Sequence, residues 1–286
     1  METTVRLRVQ AAVVARPRVT LAQPDTSDVD TARPRRFGAR SRVVAAAACL
    51  VLGLGLIGGA AAGSWLTEES DGGTRDAYAV TGALWHSVPV DQLFPPTLHG
   101  PGAGPGGADR TWTRIAVAPD SGCKDAFDPL LSTALAPAGC LRLLRATYLD
   151  ATRSHVTTVG LLFTRADAAA MRALHHRFKD EGLDRRTDLM PRPYAVPDTA
   201  AADFGDAQRA SWAISVRTDA PVVVYTVSGF ADGRPVSEPQ PAAQARKTGA
   251  TTAPAQAGLG HEAAGVADRI EARLKRTVTS ATEKPS

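Results

Sequence analysis

CLRLLRATYLD (Cys140–Asp150), the polar stretch ATRSH (Ala151–His155) and VTTVGLLF (Val156–Phe163) decide the fold. Leu141, Leu143 and Leu149 recur with period two, which places them on one face of a strand. The second run is aliphatic and β-branched, as a buried strand requires. Two such runs joined by a polar turn read as an antiparallel hairpin. Arg142 and Arg145 are the only cations in the first run. Antiparallel sheets can leave one face wet, so the two arginines either meet solvent or line a groove that binds an anion.

Upstream, TWTRIAVAP (111–119) alternates with Thr113, Ile115 and Val117 on one face, a further strand. Asp128-Pro129 is a helix start, N-cap then first turn, and that short helix runs through Leu135 to a stop at Pro137. Downstream, Thr164 with Asp167 three positions on has the form of a capping box. Met171, Leu174 and Phe178 follow at helical spacing, and Gly182 ends the helix. Residues 183–209 are irregular and charged. SWAISVR (211–217) and VVVYTVSGF (222–230) then flank the turn Thr218-Asp219-Ala220-Pro221, a second hairpin. The order β-α-β-β-α-β-β predicts an α+β domain over 85–232, helices covering one sheet face, with a ferredoxin-like split β-α-β as the nearest pattern.

The flanks read differently. HGPGAGPGGADR (99–110) is a flexible loop; its Gly102, Gly104 and Gly107 spacing opens no helix and is no dinucleotide fingerprint. Residues 233–260 are rich in Pro, Ala, Gln and Gly, a linker. Residues 261–278 form an amphipathic helix with Val266, Ile270 and Leu274 four apart and Glu271 placed to pair Lys275. So narrow a stripe either docks on the domain or meets a partner. Residues 279–286 are a tail.

Val43–Leu66 contains 24 residues without a charge. A bilayer core needs about 20 apolar residues in helical form, so the run predicts a single transmembrane helix. Arg33, Arg35, Arg36, Arg40 and Arg42 precede it, and Glu68, Glu69 and Asp71 follow. Arginines stay on the cytoplasmic side, which puts 1–42 inside as a disordered basic tail. Residues 67–84 then become a spacer and the 85–232 domain is extracytoplasmic, at the cell membrane. The alternative is a cleaved signal peptide using Ala60-Ala61-Ala62. Gly55, Gly59 and Gly63 fall on one helix face, where a second copy of the helix could approach closely.

Residues 1–42 hold nine Arg and four acidic residues, whereas the remainder holds 24 Lys and Arg against 25 Asp and Glu. The exported part is electrically neutral, which argues against nucleic acid as a partner. Cys123 and Cys140 lie beyond the span, in an oxidising compartment, and their spacing is too long for a metal knuckle. A structural disulfide between them closes a loop worth about 3 kcal/mol in the chain-entropy model.

The combination of LFPP (93–96), WTRIAVAP with Cys123, and GCLRLLRATYLD resembles uncharacterised membrane-anchored actinobacterial proteins with a small exported domain. The resemblance implies topology and carries no activity.

Chemistry is sparse. His175-His176 are adjacent on the capped helix and diverge by about 100° per residue, so they do not face one ligand. His155 sits in a hairpin turn, without a partner spaced nearby in sequence. Asp180, Glu181, Asp184 and Asp188 alternate with Lys179, Arg185 and Arg186, the pattern of a solvated face. No nucleophile elbow, paired-carboxylate or metal-ligand set emerges, and no cofactor or metal is expected. The reading is a single-pass envelope protein whose exported domain binds a ligand or an envelope protein partner without catalysis. The alternatives are an exported hydrolase with a site in 183–209, or a homodimeric membrane scaffold.

Overall fold

Cys140–Asp150 (β3) and His155–Thr164 (β4) form the central antiparallel hairpin of a seven-stranded sheet. The computed structural model describes residues 78–119 and 122–282. The expected tail 1–42, the span 43–66 with Gly55, Gly59 and Gly63, the spacer as far as 77 and residues 283–286 lie outside the described residues. A helix, α1 (78–87), leads to a single turn, α2 (Val90–Leu93). Strands β1 (Thr97–Gly100) and β2 (Arg110–Val117) precede a short helix, α3 (Pro129–Leu135). After the central hairpin come α4 (Ala168–Asp180), β5 (Ser211–Val216) and β6 (Val222–Phe230). The chain ends with β7 (Gln240–Pro241), the one-turn helices α5 (Ala242–Ala245) and α6 (Ala253–Gln256), and the 24-residue α7 (Leu259–Thr282).

The fold is α+β. Its strand order is β1-β2-β3-β4-β6-β5-β7, antiparallel throughout except where β7 meets β5. This corrects the ferredoxin-like expectation. A split β-α-β needs the two strands joined by its helix to run parallel with another strand between them, but here β2 and β3, joined through α3, are direct neighbours and antiparallel. The seven-residue α3 is too short for a crossover helix, so the chain returns beside the strand it left.

Helices cover both faces rather than one. On the first face α3, α4 and the 183–204 loop bury Leu131, Met171, Leu174, Phe178 and Phe204 against Leu143, Leu162, Trp212 and Tyr225. On the second, α7 lays Val266, Ile270 and Leu274 across Val159, Leu161, Phe163 and Val224, with Leu84 and Phe94 beside them. Gly160, at the centre, pairs Arg145 on one side and Tyr225 on the other. A Cβ there would fall 2.2 Å from the Tyr225 ring, so only glycine lets that ring lie across β4.

Local details shift several sequence readings. A register shift between Cys140 and Arg142 leaves Leu141 36% exposed, off the face of Leu143 and Leu149. A second shift, between Arg114 and Ala116, sends Ile115 and Val117 to opposite cores instead of one. The N-cap of α4 is Asp167, whose carboxylate accepts from Ala170 N at 2.8 Å; Thr164 is buried and donates to Pro221 O. The folded unit also exceeds 85–232. Helix α1 buries Thr81 and Leu84 within the expected spacer, and the supposed linker packs Ala242 and Ala245 under α7. The glycine-rich stretch 99–110 is tied down by Ala103 O against the His261 ring and by Arg269 donating to Pro101 O.

Candidate functional site

Arg142 and Arg145 are three residues apart on a strand, so the pleat turns them to opposite faces. Arg142 stacks on Trp85, 4.6 Å from the ring centroid, and Arg145 stacks on Tyr194 at 5.1 Å. The expected anion groove between them is therefore corrected: the two guanidiniums never share a surface. Beneath Arg145, the Tyr225 hydroxyl is sealed and its pKa is pushed well up by burial. Thr147 and Thr158 hydrogen-bond across the central hairpin and hold the backbone of Tyr194.

The histidines and acids of α4 and the following loop assemble no site. His175 Nδ1 lies 2.9 Å from Val216 O, while His176 turns away at the exposed side. Asp184 pairs Lys179, and Asp188 makes a two-pronged pair with Arg186. Among the described residues no group of three or more His, Cys, Asp or Glu is arranged to hold a metal ion. Cys123 and Cys140 are joined by a disulfide with Cα atoms 6.2 Å apart.

The strongest electrostatic cluster joins residues far apart in sequence. Glu262, in the first turn of α7, is wholly buried. It accepts from Trp112 Nε1 and lies 3.2 Å from Arg110 Nε, within ion-pair range although not aligned for a hydrogen bond. His155 Nδ1 stands 3.9 Å from the same carboxylate. Burial raises the Glu262 pKa, opposed by the Trp112 hydrogen bond and by Arg110. Burial also lowers the His155 pKa, with Arg110 and Arg234 adding to the shift against Asp150. Asp150 is pushed up by burial, but the Thr152 hydroxyl and the N–H groups of His155 and Thr152 outweigh this and hold it low. Such shifts often mark reactive groups. Here Trp112 roofs the carboxylate and is itself wedged between Gly100 and Gly265, where Cβ atoms would come within 2.7 Å of its ring. With Glu262 wholly buried and the Arg110 and His155 side chains only 22% and 11% exposed, the cluster pins α7 to the sheet. Sequence reasoning missed it because His155 and Glu262 are 107 positions apart.

An open cleft lies elsewhere. It has a volume of about 880 Å³ and lies between Tyr78 and Ala79 of α1, the N-terminus of α4, the β5–β6 turn and the C-terminal half of α7. Tyr78, Ala168, Ala169, Ala220, Leu274 and Val278 provide an apolar lining. Tyr78 donates to Ala166 O at 3.1 Å, and burial next to Asp167 pushes its pKa up to about 12. Of the acids on the rim, Asp167 is spent on the α4 cap, while Asp219 binds Arg217 through both oxygens. Arg217 also donates to Glu271 at 2.7 Å. Burial would drive the Asp219 pKa up, yet Arg217 holds it low, so the pair stays ionised. Arg172 and Lys275 are exposed on the same rim, and neither has an ion-pair partner within 4.0 Å among the described residues. A smaller cleft of about 600 Å³, lined by Val88, Gln92, Arg273 and Arg276, lies at the other side of α7.

Compared with protein-family models, with curated proteins and with solved structures, the chain has no match.

Proposed function

We propose that this chain is a single-pass envelope protein whose extracytoplasmic α+β domain binds a ligand or partner in the cleft between α1, α4, the β5–β6 turn and α7, without catalysing a reaction. The observation that carries the reading is the open, largely apolar cleft itself, set apart from the buried Glu262 cluster. A volume of about 880 Å³ is in the range of single-ligand sites. The Cys123–Cys140 bridge supports an oxidising compartment, and the uncharged run 43–66 with its preceding arginines supports the orientation. The likeness to membrane-anchored actinobacterial proteins has the same topology.

No helix of the described residues is long and apolar enough to cross a membrane; the anchor in this proposal is 43–66, outside them. The test is to obstruct the cleft with Ala169→Trp, an exposed position on its lining. The expected outcome is an unchanged melting temperature together with the cellular phenotype of a strain lacking the gene. Normal function in Ala169→Trp, with function lost in a His176→Ala, Asp184→Ala, Asp188→Ala triple variant, would instead favour the exported hydrolase.

A further inference from the structure

Resting on that reading, we propose that the cleft's ligand is an anionic membrane amphiphile: an acyl or prenyl chain along Leu274 and Val278, and a negatively charged head on Arg172 and Lys275. Three observations converge on it. The lining is apolar and runs along the C-terminal half of α7, which suits a chain more than a compact polar solute. The rim offers two cations, Arg172 and Lys275, with no ion pair within 4.0 Å among the described residues, whereas Asp219, which also feels Lys275, is already bound through both oxygens by Arg217. An anion arriving there replaces water around two cations without breaking an ion pair. Finally, the cleft's lip is Tyr78, and only residues 67–77 separate it from the uncharged run ending at Leu66. Fully extended, that segment reaches at most about 40 Å, so the cleft stays within short range of the bilayer from which such an amphiphile would come.

The experiment uses the full chain in phosphatidylcholine nanodiscs, titrated with lysophosphatidylglycerol, lysophosphatidylcholine or glycerol 3-phosphate. Hydrogen exchange at 168–172 and 274–279 is the readout. Protection by lysophosphatidylglycerol is expected, with affinity about tenfold weaker in Arg172→Gln/Lys275→Gln, as expected for removing a two-cation contact, and little protection from the other two probes. Equal protection by lysophosphatidylcholine, or an undiminished response in the double variant, overturns the proposal. So does protection without any probe that disappears in Glu68→Gln/Glu69→Gln/Asp71→Gln, which would make the chain's own segment the occupant. Two chains per disc with the cleft protected would make it a second copy, with the same consequence. If no probe protects the cleft yet Ala169→Trp still abolishes cellular function, this inference fails while the binding reading stands; if Ala169→Trp is also silent, both fall.

Discussion

The two faces of the sheet are covered by different strategies. The first is covered by pieces close to it in sequence, α3, α4 and the 183–204 loop, and is stapled by the Cys123–Cys140 bridge. The second is covered mainly by one helix, α7, which arrives more than 90 residues after β4 and is fixed by a buried carboxylate. A local cover is held by chain connectivity, whereas a distant one has to be held by specific contacts. The fixed orientation of α7, with Glu262 under Trp112, follows from that need.

The largest expected effect removes the distant cover. Ending the chain at Gly258 exposes the partners of Val266, Ile270 and Leu274, each buried to within 3%. At about 1.5–3 kcal/mol per side chain the loss is roughly 4.5–9 kcal/mol, comparable with the whole stability of a small domain. The shortened chain should show no cooperative transition in urea-dependent proteolysis. A residual cooperative unit would show that the first face folds without the second.

Next come the two fasteners. Replacing both Cys123 and Cys140 by Ala should cost about 3 kcal/mol, from the loop of 17 positions that the bridge closes. Glu262→Ala should cost about the same, since it strands Trp112 Nε1 and leaves Arg110 without its partner. The faces differ in what is released: hydrogen exchange should rise first in 123–140 for the cysteine variant and first in 259–282 for Glu262→Ala. Identical exchange patterns would dissolve the distinction between the two covers.

A subtler effect separates charge from shape. Glu262→Gln keeps an acceptor for Trp112 and should cost about 1 kcal/mol. Because the folded protein raises the Glu262 pKa, it holds that proton more tightly than the unfolded chain does. Stability is thus complete below the ordinary glutamate value and declines as pH rises through the raised one. His155 acts in the opposite sense: its lowered pKa gives stability above about pH 6.5 that is lost as the pH falls through the folded value. In Glu262→Gln the decline with rising pH should vanish while the acid-side decline persists. Denaturant midpoints measured from pH 5 to 8 would check this.

What the sequence made legible follows the same division. The strands β3 and β4, the 3.6-residue stripe of α4, the second hairpin and the disulfide rest on local patterns and each is present, although the shift between Cys140 and Arg142 takes Leu141 off the face its period predicts. His99-Gly100 reads as the start of a loop and Thr97-Leu98 carries no strand signal, because four residues with one buried apolar side chain, Leu98, show no period; β1 is a strand only because Arg110–Val117 lies beside it. The apparent linker packs through alanines and glycines, small residues whose close approach leaves no hydrophobic signature. The separation of Arg142 from Arg145 was readable, since an odd spacing on a strand always divides the faces. The Glu262 cluster and the cleft were not: both are made by α7 meeting segments from distant parts of the chain.

A last comparison tests helix starts on the locally covered face. Asp128 and Asp167 both occupy N-cap positions, but only Asp167 caps. Asp128 instead accepts from Arg209 Nη1 at 2.7 Å and lies 3.4 Å from Arg192 Nε, which ties α3 to the end of the 183–209 stretch. Arg209 is 10% exposed, so Asp128→Ala leaves a largely buried cation with only the exposed Asp206 and should cost about 2–3 kcal/mol. Asp167→Ala loses one backbone acceptor at an exposed position, about 1 kcal/mol. Asp167→Asn should recover most of that, because an amide oxygen caps nearly as well, while Asp128→Asn should recover little, because Arg209 is left with only the exposed Asp206, 3.8 Å from its Nε. Urea midpoints for the four variants decide it: rescue by Asn at both positions would mean that Asp128 serves as a cap after all and that the 183–209 stretch is held by its packing alone.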